Sequence, residues 1–88
     1  SWKIIMNNIS WEEFTNEVAD YVGTDASEIT RETDIYEDLC LVSLGIFGLG
    51  TQLTEFFGLT VPLSTVAVVT KIGDMFDILN EQGVRTDA

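Results

Sequence analysis

The stretch EDLCLVSLGIFGLG, from Glu37 to Gly50, sets a serine inside an apolar run and follows it with three closely spaced glycines. From Ser43 onward Ile46, Leu49, Leu53 and Phe56 recur at helical spacing, and Gly58 supplies a stop. The stretch therefore reads as a loop opening into a helix, with Ser43 as its cap and Leu41 and Leu44 anchoring the two sides. Gly45, Gly48 and Gly50 each cost a helix roughly 1 kcal/mol relative to Ala. Tertiary contacts must hold those first turns.

Upstream lies a polar, acidic segment from Thr24 to Leu39 whose apolar residues, Ile29, Ile35 and Leu39, are too sparse for a periodic face. It reads as a long loop pinned to the core at those points, and a loop of that length in a compact domain is usually functional or disordered. Before it, Ile9-Ser10-Trp11-Glu12-Glu13-Phe14 is a helix start: Ser10 can cap, Glu13 can close the capping box, and Ile9 can staple onto Phe14. Trp11, Phe14, Val18 and Tyr21 continue at helical spacing to Gly23.

Downstream, Ser64 after Pro62 and Leu63 favours a helical turn, although the β-branched STVAVV would also suit a strand. Thr70 can cap a last helix with an Ile72, Met75, Phe76 and Leu79 stripe ending at Gly83. The expected fold is all-α, a small bundle of three longer helices plus one short helix, with a long connection between the first two. Its domain spans 10–83, with an N-terminal extension over 1–9 and a frayed C-terminus over 84–88. Met6 is a candidate natural start, which would make Ser1 to Ile5 additional residues. No internal repeat, low-complexity tract or interdomain linker interrupts the chain.

Composition excludes several functions. The 88 residues hold 4 basic and 15 acidic side chains, a net charge of −11. Such a surface repels nucleic acid and anionic membrane and attracts basic protein patches. With 45% hydrophobic residues the chain is too apolar for a disordered acidic tail. No apolar run approaches the roughly 18 residues of a membrane span, and SWKIIMNN falls short of a secretory signal. A soluble, cytoplasmic protein is expected. The chain has no His and one Cys, Cys40, which leaves no intrachain disulfide and no Cys/His zinc site and fits a reducing compartment. Free cysteine behaves as a small hydrophobe, so Cys40 is expected to be buried.

A nucleophilic enzyme needs a base beside its nucleophile, and only Lys3 and Lys71 could stand in for the missing His. GIFGLG lacks the Gly-Lys-Ser/Thr ending of a phosphate loop, and no convincing strand precedes it. The acidic loop lacks the ligand spacing and central Gly of an EF-hand. With 15 carboxylates any catalytic pairing would be arbitrary, and a solvated acidic surface is the simpler reading. Ser43 stands apart. A helix amino terminus offers free N–H groups and a positive dipole end, so a phosphate on that hydroxyl would be tolerated, although an ordinary serine cap is the plainer use of the position.

At this point the pattern resembles the acyl carrier protein family. That family opens its second helix with Asp-Leu-Gly-x-Asp-Ser-Leu, and this chain reads Asp38-Leu39-Cys40-Leu41-Val42-Ser43-Leu44, departing at Cys40 and Val42. Ser27-Glu28-Ile29-Thr30 resembles the family's loop start, and Glu55-Phe56-Phe57-Gly58-Leu59-Thr60-Val61-Pro62 resembles its Glu-Glu-Phe-Gly-Ile-x-Ile-Pro segment. Thr70-Lys71-Ile72-Gly73-Asp74 is similar, with one residue extra, to its Thr-Val-Gly-Asp entry into the last helix.

The resemblance implies that Ser43 is esterified with 4′-phosphopantetheine, donated from coenzyme A, whose thiol carries acyl groups as thioesters in fatty-acid, polyketide or related biosynthesis. It implies no catalysis by the chain itself and a monomeric state. The partners would be a phosphopantetheinyl transferase, together with acyl-transferring and condensing enzymes that dock through basic or apolar patches. Val42, Leu44, Phe47 and Glu55 are the expected docking residues. Val42 replaces an Asp that helps the transferase and its magnesium engage the carrier, and the docking helix is apolar and glycine-rich where the family is acidic. Two alternatives stay open: a carrier-fold interaction module without the arm, and an acidic inhibitor of a basic protein surface.

Overall fold

The computed structural model describes residues 7–86, and Met6 with the residues before it, like 87–88, lies outside them. Four helices, α1 (Trp11–Val22), α2 (Ser43–Phe57), α3 (Leu63–Ala67) and α4 (Ile72–Gln82), are joined by a two-residue antiparallel pair, β1 (Leu59–Thr60) with β2 (Val84–Arg85).

Helix α1 starts where Ser10 Oγ accepts from the Glu13 amide at 3.0 Å. The Glu13 carboxylate meets the Ser10 hydroxyl at 3.3 Å, so the box closes side chain to side chain. Gly23 and Gly58 end α1 and α2 at positive φ, 82° and 67°, conformations that only glycine enters freely.

The core joins Phe14 and Val18 of α1, Ile46, Leu49 and Leu53 of α2, Val66 of α3, and Ile72, Met75 and Leu79 of α4. Each such side chain, fully buried, contributes about 1.5–3 kcal/mol. Trp11 packs edge-on against Phe76 at 5.1 Å, and Phe14 lies 5.2 Å from the same ring. Phe56 does not join the α2 stripe. It is exposed, and Phe57, four residues beyond Leu53 on the same face, is half-buried against the core instead.

The long first connection is bound to the start of α4. Ile29 and Ile35 are buried and Leu39 packs on the core. A short 3-10 turn, Ala26–Glu28, opens the connection. The Ile35 amide donates to the Thr70 carbonyl at 2.8 Å, the Ile72 amide to Thr33 at 3.0 Å, and the Gly73 amide to Arg31 at 3.0 Å. Thr70 therefore serves through its carbonyl rather than as a cap; Lys71 holds the cap position of α4, and no side chain caps it. The Asp34 carboxylate accepts the amides of Tyr36 and Glu37 at 2.9 and 2.8 Å, and Asp38 returns the favour to the Asp34 amide at 2.8 Å. These reciprocal bonds make 34–38 a closed turn. Arg31 is ion-paired with Asp77 on the surface, and their hydrogen bond raises the guanidinium's hold on its proton.

Past Gly83 the chain runs into a short backbone ladder over 84–86. Val84 and Arg85 pair with Thr60 and Leu59, and the Thr86 amide donates to the Gly58 carbonyl at 3.0 Å. At the other end of the chain, Asn7 donates from its side chain to the Leu79 and Gly83 carbonyls, both at 2.8 Å. Such pairing rests on backbone groups, which side-chain periodicity does not report.

Candidate functional site

The first turn of α2 presents Ser43. Val42 holds the cap position in extended conformation, and its carbonyl accepts from the Ile46 amide at 2.9 Å. Ser43 is thus the first helical residue, not the cap expected from the pattern. Its side chain is exposed and makes no hydrogen bond within residues 7–86, and the amides of Ser43, Leu44 and Gly45 likewise meet no acceptor there. An open hydroxyl therefore stands beside open N–H groups at the positive end of a 15-residue helix.

The flanking leucines divide. Leu41 packs against the core, but Leu44 is 81% exposed and anchors nothing. Val42 is 70% exposed beside it. Leu39 and Leu41 both turn inward, which leaves Cys40 pointing out: it is exposed, at φ 58°, and not the buried residue expected. That backbone conformation accounts for the glycine of the family motif, because a side chain there costs about 1–2 kcal/mol. Cys40→Gly is expected to stabilise the fold by roughly 0.5–1 kcal/mol once the greater freedom of glycine in the unfolded chain is subtracted. Urea denaturation checks this; a lower midpoint in the variant would refute it.

The first turns of α2 are held from α1. Tyr21 Oη donates to the Gly45 carbonyl at 2.9 Å, and a Cβ on Gly48 would overlap that hydroxyl. Gly48 thus leaves room for the Tyr21 side chain to reach α2. A Cβ on Gly50 would make only ordinary contact with Val66, at 3.4 Å.

Of the residues singled out in the sequence, Ser43 and Phe47 line one surface hollow together with Tyr36, Ile46 and Ala67. Phe47 also borders the groove between α2 and residues 59–66. Val42 and Leu44 flank Ser43 in the chain. Glu55 is not brought to the site: it lies twelve residues along α2, about 18 Å at 1.5 Å per residue. Sequence reasoning missed Tyr36 and Ala67, which carry no periodic signal. It also left Asp38 without a role, although Asp38 matches the family motif and closes the turn before Ser43.

A search against protein-family models finds no match. Two curated relatives are similar over most of their length. An acyl carrier protein of Rubrobacter xylanophilus is 35% identical over 63 residues, covering 72% of this chain and 78% of the relative. An acyl carrier protein of Clostridium acetobutylicum is 32% identical over 69 residues, covering 78% of this chain and 90% of the relative. With a helical bundle that presents the motif serine at the mouth of its second helix, and with relatives at this identity and coverage, the chain belongs to the acyl carrier protein family.

Proposed function

We propose that this protein carries acyl groups as thioesters on a 4′-phosphopantetheine arm attached at Ser43 Oγ, for fatty-acid, polyketide or related biosynthesis. The observation that carries the reading is the exposed, unbonded Ser43 hydroxyl at the motif position, beside three open backbone N–H groups. Those residues fit a phosphodiester: the amides of Ser43, Leu44 and Gly45 can meet its charge, and Val42 adds no carboxylate to repel it. When attached, the arm supplies the terminal thiol that bears the acyl group. The chain's own contribution is to expose Ser43 and to hold the helix mouth still, through Tyr21 and the closed turn at 34–38. Activation of the hydroxyl falls to a phosphopantetheinyl transferase, since no His is present to act as base. Acyl-transferring and condensing enzymes then load, extend and unload the arm, and the carrier catalyses none of these steps.

The span 10–83 is the proposed carrier unit, and residues 7–9 and 84–86 are fastened to it by hydrogen bonds. No helix among the described residues is long and apolar enough to cross a membrane. A soluble cytoplasmic monomer is the corresponding proposal. The test is intact mass after incubation with coenzyme A, magnesium and a broad-specificity transferase. One arm is expected on the parent and none on Ser43→Ala. The alternative reading, an interaction module without the arm, draws on the exposed Val42 in place of the family's Asp. Failure of every transferase tried would favour it.

A further inference from the structure

The charge of this protein is unevenly placed. From Leu39 to Thr70 the only charged residue is Glu55, while the remaining acidic residues lie on α1, on the first connection, on α4 and at the C-terminus. The same nearly uncharged span holds Val42, Leu44, Phe47, Phe56, Leu63 and Val68, six of the eight large hydrophobic side chains left exposed among the described residues. The two threonine hydroxyls of α2 are bonded to its own backbone: Thr51 Oγ1 donates to the Phe47 carbonyl at 2.9 Å, and Thr54 Oγ1 to the Thr51 carbonyl at 3.0 Å. With both hydroxyls spent on the helix backbone, these side chains offer methyl groups rather than donors.

We propose that the enzyme acting on Ser43 docks through an uncharged, apolar patch against Val42, Leu44 and Phe47, rather than through a basic patch against carboxylates. The inference rests on the carrier reading above. Charge complementarity favours such a contact. A partner Lys or Arg brought onto this face would be desolvated with no carboxylate on α2 nearer than Glu55, and an unpaired buried charge is strongly unfavourable. Apolar side chains would instead remove Val42 and Leu44 from water, which is favourable in proportion to area. The closest acidic residues in the chain are Glu37 and Asp38. The Asp38 carboxylate already accepts the Asp34 amide, and Glu37 lies on the connection rather than the helix. The acidic surface elsewhere remains free to steer encounter, which affects association rates more than the closed contact.

The test titrates a broad-specificity phosphopantetheinyl transferase, without coenzyme A, into isotopically labelled apo protein and follows amide shifts at two salt concentrations. Moving from about 0.05 M to about 0.5 M shortens the screening length from about 14 Å to about 4 Å. The expected result is a dissociation constant that changes less than about threefold, with perturbations centred on Val42, Leu44 and Phe47. The Val42→Ser/Leu44→Ser variant, which alters two exposed positions and leaves the core intact, is expected to weaken binding about tenfold or more, and Glu37→Gln less than about twofold. A dissociation constant that rises about tenfold with salt, perturbations centred on α1 or α4, or no binding at either salt overturns the inference. Adding coenzyme A and magnesium to the same samples and reading intact mass separates the two claims. Modification with salt-sensitive docking overturns only the apolar contact. Salt-insensitive docking without modification overturns only the arm.

Discussion

Ile35→Ala is expected to lower stability by about 3–5 kcal/mol, in the upper part of the range for large-to-small core substitutions. Ile35 is 0% exposed and sits in the middle of the first connection, where no helix of its own supports it. The cost of such a change depends on how far the surroundings collapse into the space. Here they cannot move freely: the Ile35 amide is bonded to Thr70 and its carbonyl accepts from Leu41 at 3.2 Å, so the backbone is held on both sides of the lost side chain. At an m-value of about 1–2 kcal/mol/M, the urea midpoint should fall by at least about 1.5 M. For a domain of ordinary stability, about 5–15 kcal/mol, that is a large fraction of the total. The loss should also speed amide hydrogen exchange at Leu41, whose acceptor is the Ile35 carbonyl. A midpoint shift below about 0.5 M would mean that the connection is not packed as described.

Gly73→Ala should be the second most costly change, at about 1–3 kcal/mol. Gly73 lies one residue inside the start of α4, where an added Cβ would stand 2.7 Å from Arg31 Cβ and 3.0 Å from the Arg31 carbonyl oxygen. That carbonyl accepts the Gly73 amide, so relieving the overlap requires stretching a hydrogen bond as well as moving a backbone. Alanine's better helix propensity, worth up to about 1 kcal/mol, offsets only part of this. Thermal and urea denaturation read the loss. Asp77→Asn is the control, because it breaks the exposed Arg31 ion pair without crowding the junction and should leave the midpoint almost unchanged. If the alanine variant matched the parent, the connection and α4 would not be in contact at Gly73.

The contrast between these two positions explains what could be read from the chain. Ile35 is legible because an isolated aliphatic residue in an acidic segment has little reason to be there except burial. The ends of α1 and α2 are legible because Gly23 and Gly58 satisfy a backbone requirement that few other residues can. Positions that differ by one residue are harder. Phe56 and Phe57 both follow Leu53 at helical spacing, and only packing decides that Phe57 turns inward. Ser43 and Val42 exchange roles at the mouth of α2 for a similar reason, since the cap is set by the backbone angle at Val42 rather than by the hydroxyl next to it. Leu44 shows the limit of reading hydrophobicity as burial. Its side chain faces solvent one residue after the serine, so its hydrophobicity does not report burial. Cys40 differs for another reason: its residue type suggests burial, but it takes a positive φ between two leucines that pack partly buried against the core. The β1 and β2 pairing left no trace in the side-chain pattern at all.

That small ladder has a consequence for how the domain can be tethered. Asn7 is bound to Leu79 and Gly83, and Thr86 to Gly58, so both ends of the described chain are gathered at the carboxyl end of α2. Ser43 lies at the opposite end of the same helix, fifteen residues away, or about 22 Å along its axis. Residues 7 and 86 therefore both lie at the rear of the molecule, with the serine facing forward. A leash fixed at that pole would let the domain swing between stations without passing across the end that must reach them.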